Sequence, residues 1–247
     1  LAVQNGYIHN LQLWLPVLPE TLYLDSLSGY RQNTFDGKAW PKTGRHWSLE
    51  VFVGLCDDPV NQAQMPLMLD FAENGNHAIC GTVVSGKSTF LVTLIYSLVS
   101  RYSPQLVNVY AIDFSSKMLG AFEGLAHVGG VMFENDGERI AKFFTMMGSM
   151  LEERKAMLRG GNYRQYVQAA AASSGTLDAA PLPAVIVAID NYSAFAAKTE
   201  NVYDDFILTL AKEGVSCGIF LVITAAGFSV SEIPMRLGEN FRTVLCL

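Results

Sequence analysis

Residues Gly81-Thr82-Val83-Val84-Ser85-Gly86-Lys87-Ser88-Thr89 match the spacing GxxxxGK[ST] in full. Each residue type in that spacing has a chemical reason. A glycine-rich turn lets successive backbone N–H groups face a phosphate, and the helix that follows adds its positive N-terminal end. Lys87 reaches the β/γ-phosphates of a nucleotide, and the Ser88 hydroxyl ligates Mg²⁺. The segment therefore predicts a nucleotide-binding loop that takes ATP with Mg²⁺, with Gly81 to Thr89 as its lining.

Such a loop needs a buried strand before it and a helix after it, and the flanks supply both. His77-Ala78-Ile79-Cys80 reads as a short strand. From Ser88 the apolar residues Phe90, Leu91, Leu94, Ile95, Leu98 and Val99 recur at intervals of three and four, the pattern of a helix laid on a sheet, and Pro104 lies beyond its end. The run Ala184-Val185-Ile186-Val187-Ala188-Ile189 predicts a second buried strand, and Asp190 at its end is the acid expected to hold Mg²⁺, a role usually played through water.

Asn191 follows, where many RecA-like ATPases place a glutamate that deprotonates the attacking water. An amide can orient a water but cannot take its proton, so general-base help worth ~10²–10⁴-fold is expected to be missing. Val84 is a second departure. Relatives commonly carry glycine there, and a β-branched residue resists φ > 0. Together they predict a degenerate ATPase site with weak hydrolysis.

These elements sit in a chain of 247 residues, 50% hydrophobic, with 17 basic and 23 acidic residues and a net charge of −6. A length and apolar fraction of that order suit one sizeable α/β core. The acidic balance and the lack of Lys/Arg runs argue against a general nucleic-acid surface. Cys56, Cys80, Cys217 and Cys246 have no CxxC spacing and read as buried thiols of a reducing compartment. No apolar stretch reaches the length of a spanning helix. The start at Leu1 and the apolar end Thr243 to Leu247 read as those of a fragment.

Along the chain, residues 1–50 read as an extension packing on the core and 51–247 as the nucleotide-binding unit. The extension carries Trp14, Trp40 and Trp47 and a proline-stiffened stretch around Pro16 and Pro19. Strands are expected at Ser48 to Gly54, Leu67 to Phe71, Leu106 to Ile112, Gly218 to Thr224 and near the end. A short helix follows Phe114 to Lys117. A long amphipathic helix capped by Asn135 or Asp136 runs to Leu158, with Glu152, Glu153, Arg154 and Lys155 on its wet side. Tyr203 to Lys212 is helical, and Ala169 to Ala180, rich in Ala, Ser and Gly, reads as a loop. Alternating strands and helices predict a mostly parallel sheet covered on both faces.

Gly54-Leu55 with Asp57-Asp58-Pro59, Gly75-Asn76-His77 before the phosphate loop, the Asp113 loop, Glu153-Arg154, and Asn162 with Tyr166 together resemble the FtsK/SpoIIIE family of RecA-like P-loop motor domains. The resemblance covers roughly residues 50 to 247. Within the family, Trp14-Leu15-Pro16 with Leu18-Pro19, and Asn191 in place of Glu, look most like the third and last ATPase domain of the EssC/EccC membrane ATPases of bacterial type VII secretion. The resemblance implies a partnership with other ATPase domains of the same chain, a homo-hexamer, a place on the cytoplasmic face of the membrane, and recognition of small helical WXG-type substrates. It also matches Thr224 to the sensor threonine, with Ala225 where DNA motors often carry Gln. The alternative within the family is an active hexameric DNA translocase.

Among the remaining residues, His9, His46, His77 and His127 are isolated and read as core or loop histidines. Lys117 reads as a solvated loop lysine. Arg236 and Arg242 lie where a family member could offer an arginine to a neighbour's nucleotide. Met146, Met147, Met150 and Met157 have the spacing of core residues.

Overall fold

The computed structural model describes residues 15–42, 48–175 and 182–247. Trp14, Trp47, His9, His46 and the end of the Ala169 to Ala180 stretch lie outside the described residues.

The two apolar runs of the nucleotide signature, one before the phosphate loop and one ending at Asp190, become strands of the same parallel sheet. An antiparallel hairpin comes first, β1 (Glu50–Asp58) and β2 (Ala63–Asp70), followed by the single-turn α1 (Phe71–Asn74). Then come β3 (Asn76–Cys80), α2 (Lys87–Arg101), β4 (Val107–Asp113), β5 (Val128–Phe133), α3 (Gly137–Leu158) and α4 (Tyr163–Ser174). The chain closes with β6 (Ala184–Asp190), α5 (Tyr192–Lys198), α6 (Asp204–Glu213), β7 (Ile219–Ala225), α7 (Met235–Gly238) and β8 (Phe241–Cys246). The six core strands run in the order β5-β4-β6-β7-β3-β8, and every pair is parallel. This is the α/β, RecA-like P-loop fold with helices on both faces that the sequence predicts.

β3, β6 and β7 are buried along their whole length, which is why their sequences read as unbroken apolar runs rather than alternating ones. On one face Leu91, Leu94, Ile95 and Leu98 of α2 pack with Val107, Val109, Ile186 and Phe220. On the other, Phe143, Phe144, Met147 and Leu151 of α3 join Phe195, Ile207 and Leu210 against Val185, Val187 and Leu221. Within residues 15–42, Leu27 and Tyr30 close a small apolar cluster on Phe52, and Trp40 Nε1 donates to Val99 O at 3.0 Å.

Several local features differ from the sequence-based expectation. Ala169 to Ser174 is helix, not loop: Asn162 Oδ1 caps α4 by accepting Gln165 N–H at 2.9 Å, alanine is the best helix former, and Ala171 is fully buried. Arg154 does not face water. It is 4% exposed and donates to the carbonyls of Cys217, Gly218 and Pro183, so that it ties the end of α3 to the starts of β6 and β7. Burial lowers its pKa from the usual guanidinium value.

Cys80 and Cys217 are buried but Cys56 and Cys246 are exposed. Of the methionines, Met147 is core and Met150 packs beside it, whereas Met146 and Met157 are exposed. The second hairpin strand spans Ala63–Asp70, so Phe71 opens a helix instead. Asp136 stands at the start of α3 without capping it, because its carboxylate accepts Phe133 N–H at 2.9 Å.

Candidate functional site

The phosphate loop joins the end of β3 to α2 at the C-terminal edge of the sheet. Its first glycine is required by contact: a Cβ on Gly81 would stand 2.3 Å from Ser85 Oγ and 2.8 Å from Leu247 O. Two residues of the loop take left-handed backbone, Gly86 at φ 96° and Val84 at φ 67°. Glycine adopts that region freely; valine does so at a cost on the order of 1–3 kcal/mol. Val84 is also 96% exposed, so no buried contact offsets the strain.

Lys87 Nζ donates to Gly81 O and Thr82 O, both at 2.7 Å, which folds the ammonium over the loop. Ser88 Oγ donates to Asp190 Oδ2 at 2.7 Å. Thus the two residues predicted to hold Mg²⁺, 102 positions apart in sequence, touch each other.

Asp190 ends β6 and is 1% exposed. Thr224 Oγ1, at the end of the adjoining β7, donates to Asp190 Oδ1 at 2.5 Å and accepts Asn191 N–H at 2.8 Å. Burial pushes the Asp190 carboxyl above the ordinary carboxylate range; the hydrogen bonds from Thr224 and Ser88 pull the other way, and Asp113 adds repulsion. Asp113 is the partner of Asp190 across the β4–β6 pair.

Asn191 sits at φ 65°, ψ 69° as the N-cap of α5. Its Oδ1 accepts Ala194 N–H at 3.4 Å and its Nδ2 donates to Phe114 O at 3.2 Å. Asparagine suits that backbone, since its short polar side chain tolerates the left-handed region. Both ends of the amide are therefore engaged with backbone.

Val83, Val84, Gly86, Lys87, Ser88, Thr89, Ser115, Asn191, Thr224 and Ala226 line one cavity of about 390 Å³. Of the residues predicted to contact nucleotide or act on it, Gly81, Thr82, Ser85 and Asp190 are not among the lining residues; the first three belong to the same loop, and Asp190 is hydrogen-bonded to Ser88 and Thr224. The residues fit a triphosphate with Mg²⁺. Gly81 keeps a close backbone cradle, and Ser85 Oγ is buried without a partner among the described residues. Ser115 is a lining residue that motif spacing does not mark; an acid at a strand end followed two residues later by serine is an Asx-turn signal that points to it. Lys117 is outside the cavity lining at φ 60°. Arg242 lies at the opposite end of the strands, where its Nη1 donates to Glu73 O at 3.4 Å. Arg236 is exposed on α7.

The profile of the FtsK/SpoIIIE family matches residues 42–230. The chain belongs to the FtsK/SpoIIIE family. Its similarity extends to "Type VII secretion system protein EssC" of Staphylococcus aureus (strain NCTC 8325 / PS 47), 25% identical over 235 residues, which cover 95% of this chain and 15% of that protein. "ESX secretion system protein EccC" of Thermomonospora curvata is 30% identical over 253 residues, covering 94% of this chain and 19% of that one. The chain thus spans 15–19% of the length of these curated relatives.

Among solved structures, Thermomonospora curvata EccC (ATPases 2 and 3) in complex with a signal sequence peptide superimposes with a TM-score of 0.73 at 29% identity, over 94% of this chain and 40% of that one. The cytoplasmic domain of the same organism's type VII secretion ATPase EccC gives a TM-score of 0.79 at 27% identity, over 98% and 28%. These relatives are type VII secretion ATPases, and membership of a P-loop ATPase family implies nucleotide binding. No helix among the described residues is long and apolar enough to cross a membrane.

Proposed function

We propose that this chain is a degenerate ATP-binding domain of a type VII secretion ATPase, which holds nucleotide with little or no hydrolysis and works in substrate recognition and control of secretion. The observation that carries the reading is Asn191, which stands after the acid of β6 with both ends of its amide bonded to backbone. The position that would abstract a proton from water is occupied by a helix cap that has no basicity. Val84 weakens the same site independently through its left-handed backbone.

In this reading Lys87 and the loop amides bind the phosphates, and Ser88 with Asp190 hold Mg²⁺. The cation would supply charge neutralisation at the β- and γ-phosphate oxygens. Thr224 orients Asp190, and Asn191 fixes the two loops that face the cavity. The domain is the third and last of its parent chain, beside the other ATPase domains, on the cytoplasmic face of the bacterial membrane. Its partners are small helical WXG-type substrates and further copies in a hexamer. What supports this placement is similarity to EssC and EccC together with the loss of the base.

The test is thermal unfolding of the chain with ATP·Mg²⁺ beside its turnover. A ligand that binds only the native state raises the melting temperature by mass action. Millimolar ATP·Mg²⁺ is expected to raise it, Lys87→Ala to abolish the rise, and hydrolysis to stay close to background. Turnover at several per second would overturn the degenerate reading. Affinity for duplex DNA that falls steeply with log salt would replace it with a DNA translocase, since that slope counts neutralised phosphates.

A further inference from the structure

We propose that the hydroxyl of Ser115 is a third protein oxygen of the divalent-cation site, alongside Ser88 and Asp190. The inference rests on the nucleotide reading above and adds to it a residue from the loop after β4.

Ser115 Oγ stands 3.3 Å from Ser88 Oγ, which itself stands 2.7 Å from Asp190 Oδ2. Mg²⁺ takes oxygen ligands in a near-octahedral shell at 2.0–2.1 Å, so neighbouring oxygens of that shell are about 3 Å apart. The 3.3 Å between Ser115 Oγ and Ser88 Oγ is of that kind. Ser115 also belongs to the cavity lining, on the side facing the phosphate loop.

The loop that carries it is held on both sides. Asp113 is buried, its Oδ1 accepts Ser115 N–H at 3.0 Å, and its Oδ2 accepts Leu119 N–H at 3.1 Å. Phe114 is clamped at its two backbone groups: its N–H donates to Asp190 O at 3.0 Å, and its carbonyl accepts Asn191 Nδ2. The Phe114 ring adds an edge contact with Phe195, centroids 5.3 Å apart. Side chains from the ends of β4 and β6 thus fix the backbone around an exposed hydroxyl whose hydrogen-bond partner among the described residues is Ser88 Oγ. A serine that served only the turn would need its N–H, already taken by Asp113, and not its Oγ.

The experiment is Mn²⁺ uptake by the whole chain, followed by the electron paramagnetic resonance signal of free Mn²⁺, with and without a non-hydrolysable ATP analogue. Nucleotide affinity is measured separately in EDTA. Ser115→Ala is expected to weaken nucleotide-dependent Mn²⁺ binding about two- to tenfold, the worth of one hydrogen bond or ligand contact. Its cation-free nucleotide affinity and melting temperature are expected to match the parent. Ser115→Thr, which keeps the hydroxyl, is expected to bind Mn²⁺ as the parent does. Ser115→Ala that takes up Mn²⁺ as the parent does, while Ser88→Ala loses it, overturns the proposal and leaves the nucleotide reading standing. A parent chain with no nucleotide-dependent Mn²⁺ uptake overturns both.

Discussion

Thr224 Oγ1 and Asp190 Oδ1 meet at 2.5 Å across the ends of two neighbouring strands, both fully buried. The threonine oxygen also accepts Asn191 N–H, so one hydroxyl satisfies an acid and a backbone donor together. Thr224→Val keeps the shape and removes the hydroxyl, which takes their partner from Asp190 Oδ1 and Asn191 N–H while Ser88 still bonds Asp190 Oδ2. Unfolding in denaturant is expected to show a loss of about 1–3 kcal/mol per group left unsatisfied, and Thr224→Ser to restore most of it. Equal stability of Val and Thr at this position would show that the contact carries no weight.

Val84→Gly relieves left-handed strain of about 1–3 kcal/mol and adds unfolded-chain entropy worth roughly 0.5–1 kcal/mol. The strain term wins. The substitution is expected to stabilise the fold by about 1 kcal/mol, a rise of about 2–4 °C in melting temperature for a chain of this size, and to tighten nucleotide binding. A fall in melting temperature would mean that the valine is held in place by something other than strain tolerance.

Asn191→Glu brings back a base at a structural cost. Glutamate tolerates left-handed backbone poorly, and the change removes the amide's bonds to Ala194 and Phe114. The single variant is expected to lose about 1–3 kcal/mol of stability and to gain little turnover. The pair Val84→Gly, Asn191→Glu is expected to turn over faster than either single variant in an assembled state. Binding and hydrolysis are measured apart, because the first change acts on affinity and the second on turnover.

His77 supplies a pH dependence. It is fully buried on β3, its ring 4.5 Å from that of Phe71, and neither ring nitrogen has a partner among the described residues. Burial lowers its pKa to about 4 from the ordinary 6.5. Above pH 6.5 both folded and unfolded chains hold it neutral and it has no effect. As pH falls from 6.5 towards about 4, the unfolded chain takes up the proton first, and stability declines by up to about 3 kcal/mol. His77→Leu is expected to flatten that part of the stability profile measured by denaturant titration. A profile as steep as the parent's would assign the slope to other groups.

The parts of the site with strict spacing are legible in the sequence alone. Gly81 to Thr89 and the apolar run ending at Asp190 announce themselves, because phosphate binding and double burial each restrict residue type at every position. Ser88 and Asp190, expected to share one cation, are hydrogen-bonded to each other. What escapes the sequence is of another kind. Arg154 falls on the stripe Ile140, Phe144, Met147, Leu151, Arg154, so its position marks the buried face while its charge suggests the wet one.

Gly129 and Gly130 lie inside β5, although glycine is depleted in strands. A Cβ on Gly129 would stand 2.2 Å from Tyr110 Cε1, so the strand needs glycine to admit a ring from its neighbour. The alanines of α4 resemble a loop because small residues carry no apolar periodicity strong enough to outweigh the look of low complexity. Ser115 is hard to find from sequence since its partner hydroxyl lies 27 residues away.

The sheet order has a bearing on how the molecule assembles. β3, which delivers the phosphate loop, is flanked by β7 and β8, so its neighbours come from residues 219–225 and 241–246. During synthesis the loop strand emerges before β7 and β8 and waits, both edges unpaired, until those two strands have been made. Pairings so distant in sequence form slowly, because the long loop must close before it is rewarded. Competence to grip a phosphate is therefore expected to come late in folding, and a chain stopped before β7 to have the signature but not the site.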